Sequence, residues 1–239
     1  MTWRERLRHQ GFAQFPGLTP QPLIEVALDA IETDRRTNFD PTRQTEYDNR
    51  SYCPDLRTSP AITNLLSQSP VLNLLDEIFT LENIGWSEAQ IAIRQAHNFS
   101  EPVFPSPHID GFSTGLNGLE KGRIYNHTIL VGVFLTSVTT EFAGNFTVWP
   151  QSHHVYENYF RERGPQAMGE PMPAVEVGEP LQLLSGVGDV VLAHYHLAHA
   201  AAVNTSDVDR IAIYFRVWLH KMESDRWHYL TNMWEGWRL

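Results

Sequence analysis

Residues 186–219 read GVGDVVLAHYHLAHAAAVNTSDVDRIAIYFRVWL, and the second half of that stretch settles the kind of fold. From Arg210 onward apolar residues fall on every second position, Ile211, Ile213, Phe215, Val217 and Leu219, while Arg210, Ala212, Tyr214, Arg216 and Trp218 take the alternate places. Side chains two apart on an extended chain share a face, so this is a strand with one face for a hydrophobic core and a mixed face for a cavity. The Asn-Thr-Ser-Asp cluster at 204–207 is a turn, and the apolar run from Asp189 to His194 is a preceding strand. Strands of this kind, following a first third with helical spacing, predict a mainly β protein with flanking helices, a barrel or sandwich braced by α-helices.

Working back from that stretch, the first third carries the helices. Trp3 to Gln10 is a short charged helix stopped by Gly11, and Phe12 to Phe15 is a short strand. Leu23, Ile24, Ala27, Leu28 and Ile31 recur at three and four spacing, with Thr19 as the expected cap and Pro20 in the first turn. Ser59-Pro60 and Ser69-Pro70 start two further helices, whose apolar positions are Ile62, Leu65 and Leu66, then Val71, Leu74, Leu75, Ile78 and Phe79. Asp34 to Arg57 and Arg163 to Gly178 show no period and are expected to be long loops of the lid type. Beyond Glu82 the pattern turns extended: Ile91, Ile93 and Gln95 share a face, with Gln95 expected toward a pocket, and Ile124 to Val138 reads as one long central strand. Residues 1–239 are thus expected to form one domain, with helices in 1–82 packed on a barrel core in 83–239.

The chemistry is concentrated in two places. Pro102, Pro105 and Pro107 keep the approach to His108 extended, and in Pro107-His108-Ile109-Asp110-Gly111 the His and Asp side chains share a face. With His199 they compose a 2-His-1-carboxylate set, which leaves coordination positions open and suits non-haem Fe(II). A chance His-x-Asp is common in a chain with 11 histidines; the proline-guided context, the downstream His199 and the Arg210 that follows it give this one weight. An arginine inside a cavity needs an anion, because an unpaired buried guanidinium is costly. His194 and His196 have the opposite strand parity to His199 and are expected outside the ligand set, and His153 and His154 are expected to start a helix.

Composition limits the alternatives. A chain of 239 residues with 42% hydrophobic content is enough for one well-packed core. Its net charge of −10, with no run of adjacent lysines or arginines beyond a pair, argues against nucleic acid as a partner. Cys53 is the only cysteine, which leaves no internal disulfide and fits a reducing compartment. The opening MTWRERLRHQGF has no apolar core of a signal peptide, and no stretch approaches the roughly 18 apolar residues of a membrane span. A cytoplasmic protein acting on a small molecule, without membrane attachment, is expected.

Several stretches together resemble the phytanoyl-CoA dioxygenase family. HQGFAQFPGLTPQPLIEVALDAIE is similar to the family's opening strand and helix, SPAITNLLSQSPVLNLLDEIF to its paired helices, and PHIDGF to its His-x-Asp segment. GNFTVWPQSH resembles its strand and Pro-Gly-Ser-His turn, and the quoted 186–219 stretch its distal histidine and arginine. The resemblance implies a double-stranded β-helix (jelly-roll, cupin-like) core and an Fe(II)- and 2-oxoglutarate-dependent oxygenase, using O2 and releasing succinate and CO2 as it hydroxylates a small molecule, a specialised metabolite or lipid-like compound. It implies His108, Asp110 and His199 as iron ligands and Arg210 as the partner of the cosubstrate's far carboxylate. Gln95 and Thr128 are further candidates for hydrogen bonds to the cosubstrate, and Phe112, Trp149, Tyr214 and Trp218 for contact with substrate. The chain departs from the family at Ala201, where a serine is usual, and at Gln151, where a glycine is usual. A cupin-type metalloenzyme that does not use 2-oxoglutarate would share the barrel and the histidines, but would leave Arg210 without a partner. A catalytically silent metal-binding sensor domain would have no reason to keep all four residues.

Overall fold

The computed structural model describes residues 1–239. Helix α1 (Trp3–Gln10) opens with a reciprocal cap: the Thr2 hydroxyl accepts from the Glu5 amide, and the Glu5 carboxylate accepts from the Thr2 amide. There follow β1 (Phe12–Phe15), α2 (Gln21–Asn38), α3 (Gln44–Asn49), α4 (Pro60–Ser67) and α5 (Val71–Ile78). Next come β2 (Ile84–Gly85), β3 (Ala89–Arg94), β4 (Ile129–Phe134), β5 (Phe146–Val148) and α6 (Ser152–Arg163). The remainder is β6 (Leu181–Gln182), β7 (Val190–His194), β8 (His199–Ala201), β9 (Arg210–Leu219) and α7 (Arg226–Thr231).

All pairings are antiparallel. The larger sheet runs β1-β7-β4-β9, and the far edge of β9 pairs with β3 along residues 210–215 and with β2 at 218–219. The smaller sheet is β6-β5-β8. The two sheets face each other across Leu130, Phe134, Ala212 and Tyr214 from the larger and Phe146, Val148 and Leu183 from the smaller side. Gly132 makes room there, since a Cβ on it would meet the Tyr214 ring at 2.9 Å.

The alternation read in β9 separates two cores. Ile211, Ile213, Phe215, Val217 and Leu219 join Ile24, Ile31, Leu65 and Leu75 from the helices in the main hydrophobic cluster. Ile213 and Phe215 are fully buried, so truncating either to alanine is expected to cost about 2–5 kcal/mol. No helix is long and apolar enough to cross a membrane.

Four expectations change. Thr19 does not cap α2: Pro20 occupies the cap position, and the buried Thr19 hydroxyl has no partner. The helix also continues to Asn38, well beyond its last apolar contact at Ile31, because its final turns lie at the surface and Arg35 there pairs with Asp209 at 2.9 Å. The supposed loop from Asp34 to Arg57 therefore holds the end of α2, all of α3 and two 3-10 turns. The strand expected over Ile124 to Val138 shrinks to β4, which pairs with β7 over residues 129–133 and with β9 over residues 129–134. Finally, the barrel is not confined to residues 83–239, because β1 pairs with β7 and forms an edge of the larger sheet.

Candidate active site

The chain crosses from the larger to the smaller sheet between His194 and His199, and that crossing sets the fate of each histidine. At the end of β7 the His194 Nε2 lies 2.9 Å from the Met233 carbonyl, and its Nδ1 accepts the His196 amide at 3.0 Å. Both rings face away from the cavity into the packing beneath α6 and α7, beside Phe160 and Trp234. His153 is likewise held, its Nε2 3.0 Å from the Arg8 carbonyl. The reason these stay out of the ligand set is the sheet crossing rather than the parity of a single strand.

His199 opens β8 and is tied directly to His108. The His108 amide donates to the His199 carbonyl at 3.1 Å and the His199 amide to the His108 carbonyl at 2.8 Å, so the two residues stand opposite one another as an antiparallel pair. Their rings lie 4.8 Å apart, centre to centre. Ile109 points the other way into a buried apolar cluster, which leaves Asp110 on the face of His108. Gly111 then turns the chain at φ 87°, and a Cβ there would sit 2.6 Å from the Tyr125 carbonyl oxygen, so only glycine fits. The Tyr195 hydroxyl donates to the Asp110 carbonyl at 3.0 Å and fixes the backbone from the other side.

The carboxylate of Asp110 is divided between two tasks. Its Oδ2 accepts from Nε of Arg216 at 2.8 Å, while Oδ1 faces Nε2 of His199 at 3.7 Å and Nε2 of His108 at 3.9 Å. Arg216 is itself steadied by Gln90, whose Oε1 accepts from Nη2 at 2.9 Å. Burial pushes the Asp110 carboxyl up, but the Arg216 guanidinium and then His199 overcome it and hold the group well below the usual carboxylate range. The Nδ1 of His199 lies 3.0 Å from the Leu197 carbonyl, and a proton placed there leaves a lone pair on Nε2. The three donor atoms all lie within 4.8 Å of one another. Two imidazole nitrogens and one carboxylate oxygen on one side of a would-be ion are a donor set that fits ferrous iron and leaves the cavity side open.

That open side is a cavity of about 890 Å³. Arg210 reaches it from the start of β9 and is only 1% exposed. Its Nε donates to the Gly144 carbonyl at 2.6 Å and Nη1 to the Ala92 carbonyl at 3.2 Å, and no carboxylate of the protein touches it. Burial lowers its pKa from the ordinary value, with the Tyr214 phenol acting against that and Arg94 reinforcing it.

The structure thus brings His108, Asp110, His199 and Arg210 to one cavity, with Phe112 and Tyr214 also in its wall. Four other candidates lie elsewhere. Gln95 follows β3 on the parity of Ile91 and Ile93, which face the helices; the cavity face of that strand is Gln90, Ala92 and Arg94. Thr128 spends its polar groups joining strands: its amide donates to the Val217 carbonyl, its carbonyl accepts from Tyr195 and its hydroxyl accepts from the Leu219 amide. Trp149 is buried in the cluster beneath α6, and Trp218 packs against the helix-side core. Sequence reasoning gave no role to Arg216, Gln90 or Arg94. The signal for Arg216 was present, since the parity that sends Arg210 inward sends Arg216 inward too.

An antiparallel two-sheet barrel with a 2-His-1-carboxylate set at one end and a buried arginine beyond it defines a mononuclear metal oxygenase architecture. The chain belongs to the phytanoyl-CoA dioxygenase (PhyH) family, whose model matches residues 9–212. Solved structures share the fold at low identity. The non-heme monooxygenase ThoJ in its nickel complex superposes with a TM-score of 0.60 at 20% identity, over 91% of this chain and 77% of that one. HygX from Streptomyces hygroscopicus, with nickel and 2-oxoglutarate bound, gives 0.58 at 16% identity, over 92% and 88%. The epimerase SnoN from nogalamycin biosynthesis, in complex with Fe3+, alpha-ketoglutarate and nogalamycin RO, gives 0.55 at 16%, over 90% and 82%. No protein of curated function matches the chain in sequence.

Both departures from the family pattern have a structural counterpart. Gln151 adopts φ 70°, the left-handed backbone that favours glycine, so the turn keeps its shape with a residue that fits it less well. Ala201 lines the cavity and offers no hydrogen bond there.

Proposed function

We propose that this protein is an Fe(II)- and 2-oxoglutarate-dependent oxygenase that hydroxylates a small organic molecule. The observation that carries the reading is the pairing of two features in one cavity: Asp110 Oδ1 turned toward the Nε2 atoms of His108 and His199, and Arg210 buried beyond them with only carbonyls for partners. When bound, iron and 2-oxoglutarate supply the oxidising power, the 2-oxo acid ending as succinate and CO2. His108, Asp110 and His199 hold the ion on one side only. Arg210 fixes the far carboxylate of the cosubstrate and so aims its chelating end at the ion, a task suited to the planar fork of a guanidinium. Phe112 and Phe146 keep water from the wall of the site.

The size of the cavity suits a substrate larger than 2-oxoglutarate alone, and its outer wall is rich in hydrogen-bonding groups, among them Asn49, Ser87, Thr114 and Asn117. That wall, with the nogalamycin RO bound in the SnoN complex as a precedent on the same fold, supports an oxygen-rich specialised metabolite as substrate. The test is an anaerobic titration with Fe(II) and 2-oxoglutarate, followed by a screen for substrate-stimulated succinate release. Metal binding without any 2-oxoglutarate binding would replace this reading with that of a cupin-type metalloenzyme.

A further inference from the structure

Five arginines line the cavity, and they divide by partner. Arg216 has Asp110, Arg57 has Glu88 and Arg50 has Glu46. Arg94 and Arg210 have no acidic partner in the protein, and they are neighbours. Arg94 ends β3 directly opposite Arg210 in the antiparallel register. Both stems close on Gly144, where a Cβ would stand 2.9 Å from Cβ of Arg94 and 3.0 Å from Cβ of Arg210.

Like charges directly across a strand pair destabilise it, and a poorly hydrated guanidinium costs more than an exposed one. Nothing in the fold offsets that cost. Nε and Nη1 of Arg210 are engaged by the carbonyls of Gly144 and Ala92, which anchor the group without neutralising it. Arg94 donates no side-chain hydrogen bond to the protein at all, although it faces the same cavity as Gln90 and Ala92. In a chain of net charge −10, acidic residues are plentiful, so two adjacent arginines left without one mark a place where an anion is supplied from outside.

We propose that Arg94 is a second clamp on 2-oxoglutarate, sharing its distal carboxylate with Arg210, so that the cosubstrate neutralises a repelling pair. The assignment rests on the 2-oxoglutarate reading given above. It makes Arg94 the residue that selects a dicarboxylate over a 2-oxo acid with an apolar tail, because only the former brings a charge to the pair. Ala201 and Ala92, beside it in the wall, have no polar atom to share the task.

The test compares two ligands on the Fe(II)-loaded full chain under anaerobic conditions by isothermal titration: 2-oxoglutarate, and 2-oxobutyrate, which keeps the chelating end and lacks the distal carboxylate. Arg94→Gln is expected to weaken 2-oxoglutarate binding by about 10- to 100-fold, the range for losing a charge-assisted contact, while 2-oxobutyrate binding stays as in the wild type. Without ligand the variant is expected to melt at or above the wild-type temperature, since a repulsion has been removed. Arg94→Lys, which keeps the stem and charge, guards against a folding defect and is expected to lose less than the glutamine variant. Unchanged 2-oxoglutarate affinity in Arg94→Gln, or an equal loss for both ligands, overturns the assignment. A wild-type protein that binds neither 2-oxo acid overturns the functional reading itself, and this inference with it.

Discussion

The Nε of Arg216 lies 2.8 Å from Oδ2 of Asp110, and this single contact decides which oxygen of the carboxylate faces the two histidines. A carboxylate free to rotate would present either oxygen or both. Held by Arg216, which is held in turn by Gln90, it presents one. Groups that orient a metal ligand in this way typically carry a 10- to 100-fold share of metal affinity. Arg216→Met should therefore weaken Co(II) or Fe(II) binding by about that factor while the fold, followed by circular dichroism, is retained. Full metal affinity in the methionine variant would show that Asp110 is positioned by its backbone alone.

Arg210 is expected to act on the cosubstrate and not on the metal. Arg210→Ala should weaken 2-oxoglutarate binding by about 2–5 kcal/mol, as when one partner of a buried charge pair is removed, with metal affinity nearly intact. Lysine should restore only part of the loss, because it offers a point charge in place of a fork. Equal affinity for 2-oxoglutarate in wild type and alanine variant would leave the buried guanidinium without a function.

The buried imidazoles make stability depend on pH in a definite direction. Burial holds His153 and His196 down to about 3, against an ordinary value of 6.5, and His194 well below it. The unfolded chain takes up these protons as the pH falls through 6.5 and the folded chain refuses them. The stabilisation is complete above that value and is lost progressively toward pH 3, at about 1.4 kcal/mol per group per pH unit. Urea midpoints should fall between pH 7.5 and pH 5.5, and His196→Phe should flatten the decline, since neither ring nitrogen of His196 has a partner to lose. A midpoint independent of pH over that interval would contradict the burial of these rings.

How much of this was legible beforehand follows from where the information is local. His108, Asp110, His199 and Arg210 were readable because strand parity, proline-extended backbone and a family resemblance agree on them. The faces of β9 were readable for the same reason. Gln95 misled because parity alone does not say which face of a strand meets the cavity; Ile91 and Ile93 already pointed to the helices, and the odd polar residue simply ends that row. Thr128 and the shortened β4 depend on which neighbours a strand finds, and Arg216 on a partner 106 positions away in the chain. α2 outran its apolar pattern because surface turns need no pattern to continue.

Hydroxylation, and not halogenation, is the expected outcome. A halide can be transferred only from a coordination position on the metal, and the position beside the two histidines would be taken by Asp110, tethered by its own backbone and by Arg216. A ligand held at such high local concentration is not displaced by chloride at ordinary concentrations. With a competent substrate, turnover in excess chloride or bromide should give only oxygenated or desaturated product by mass spectrometry. A halogenated product from the unmodified protein would mean that Asp110 is not a metal ligand.

Strand β9 is the last of the nine to be made, yet it lies in the interior of the larger sheet, between β4 on one side and β3 with β2 on the other. On the ribosome, β3 and β4 have no common neighbour until it emerges. Before then His108, Asp110 and His199 have already been made, whereas the Arg216 that orients the carboxylate is still to come. An ion meeting the nascent chain would find the three donors before the carboxylate is oriented, and bind weakly. With His108, Asp110 and His199 as the proposed ligands, the order of synthesis would thus delay tight metal capture until the sheet is closed.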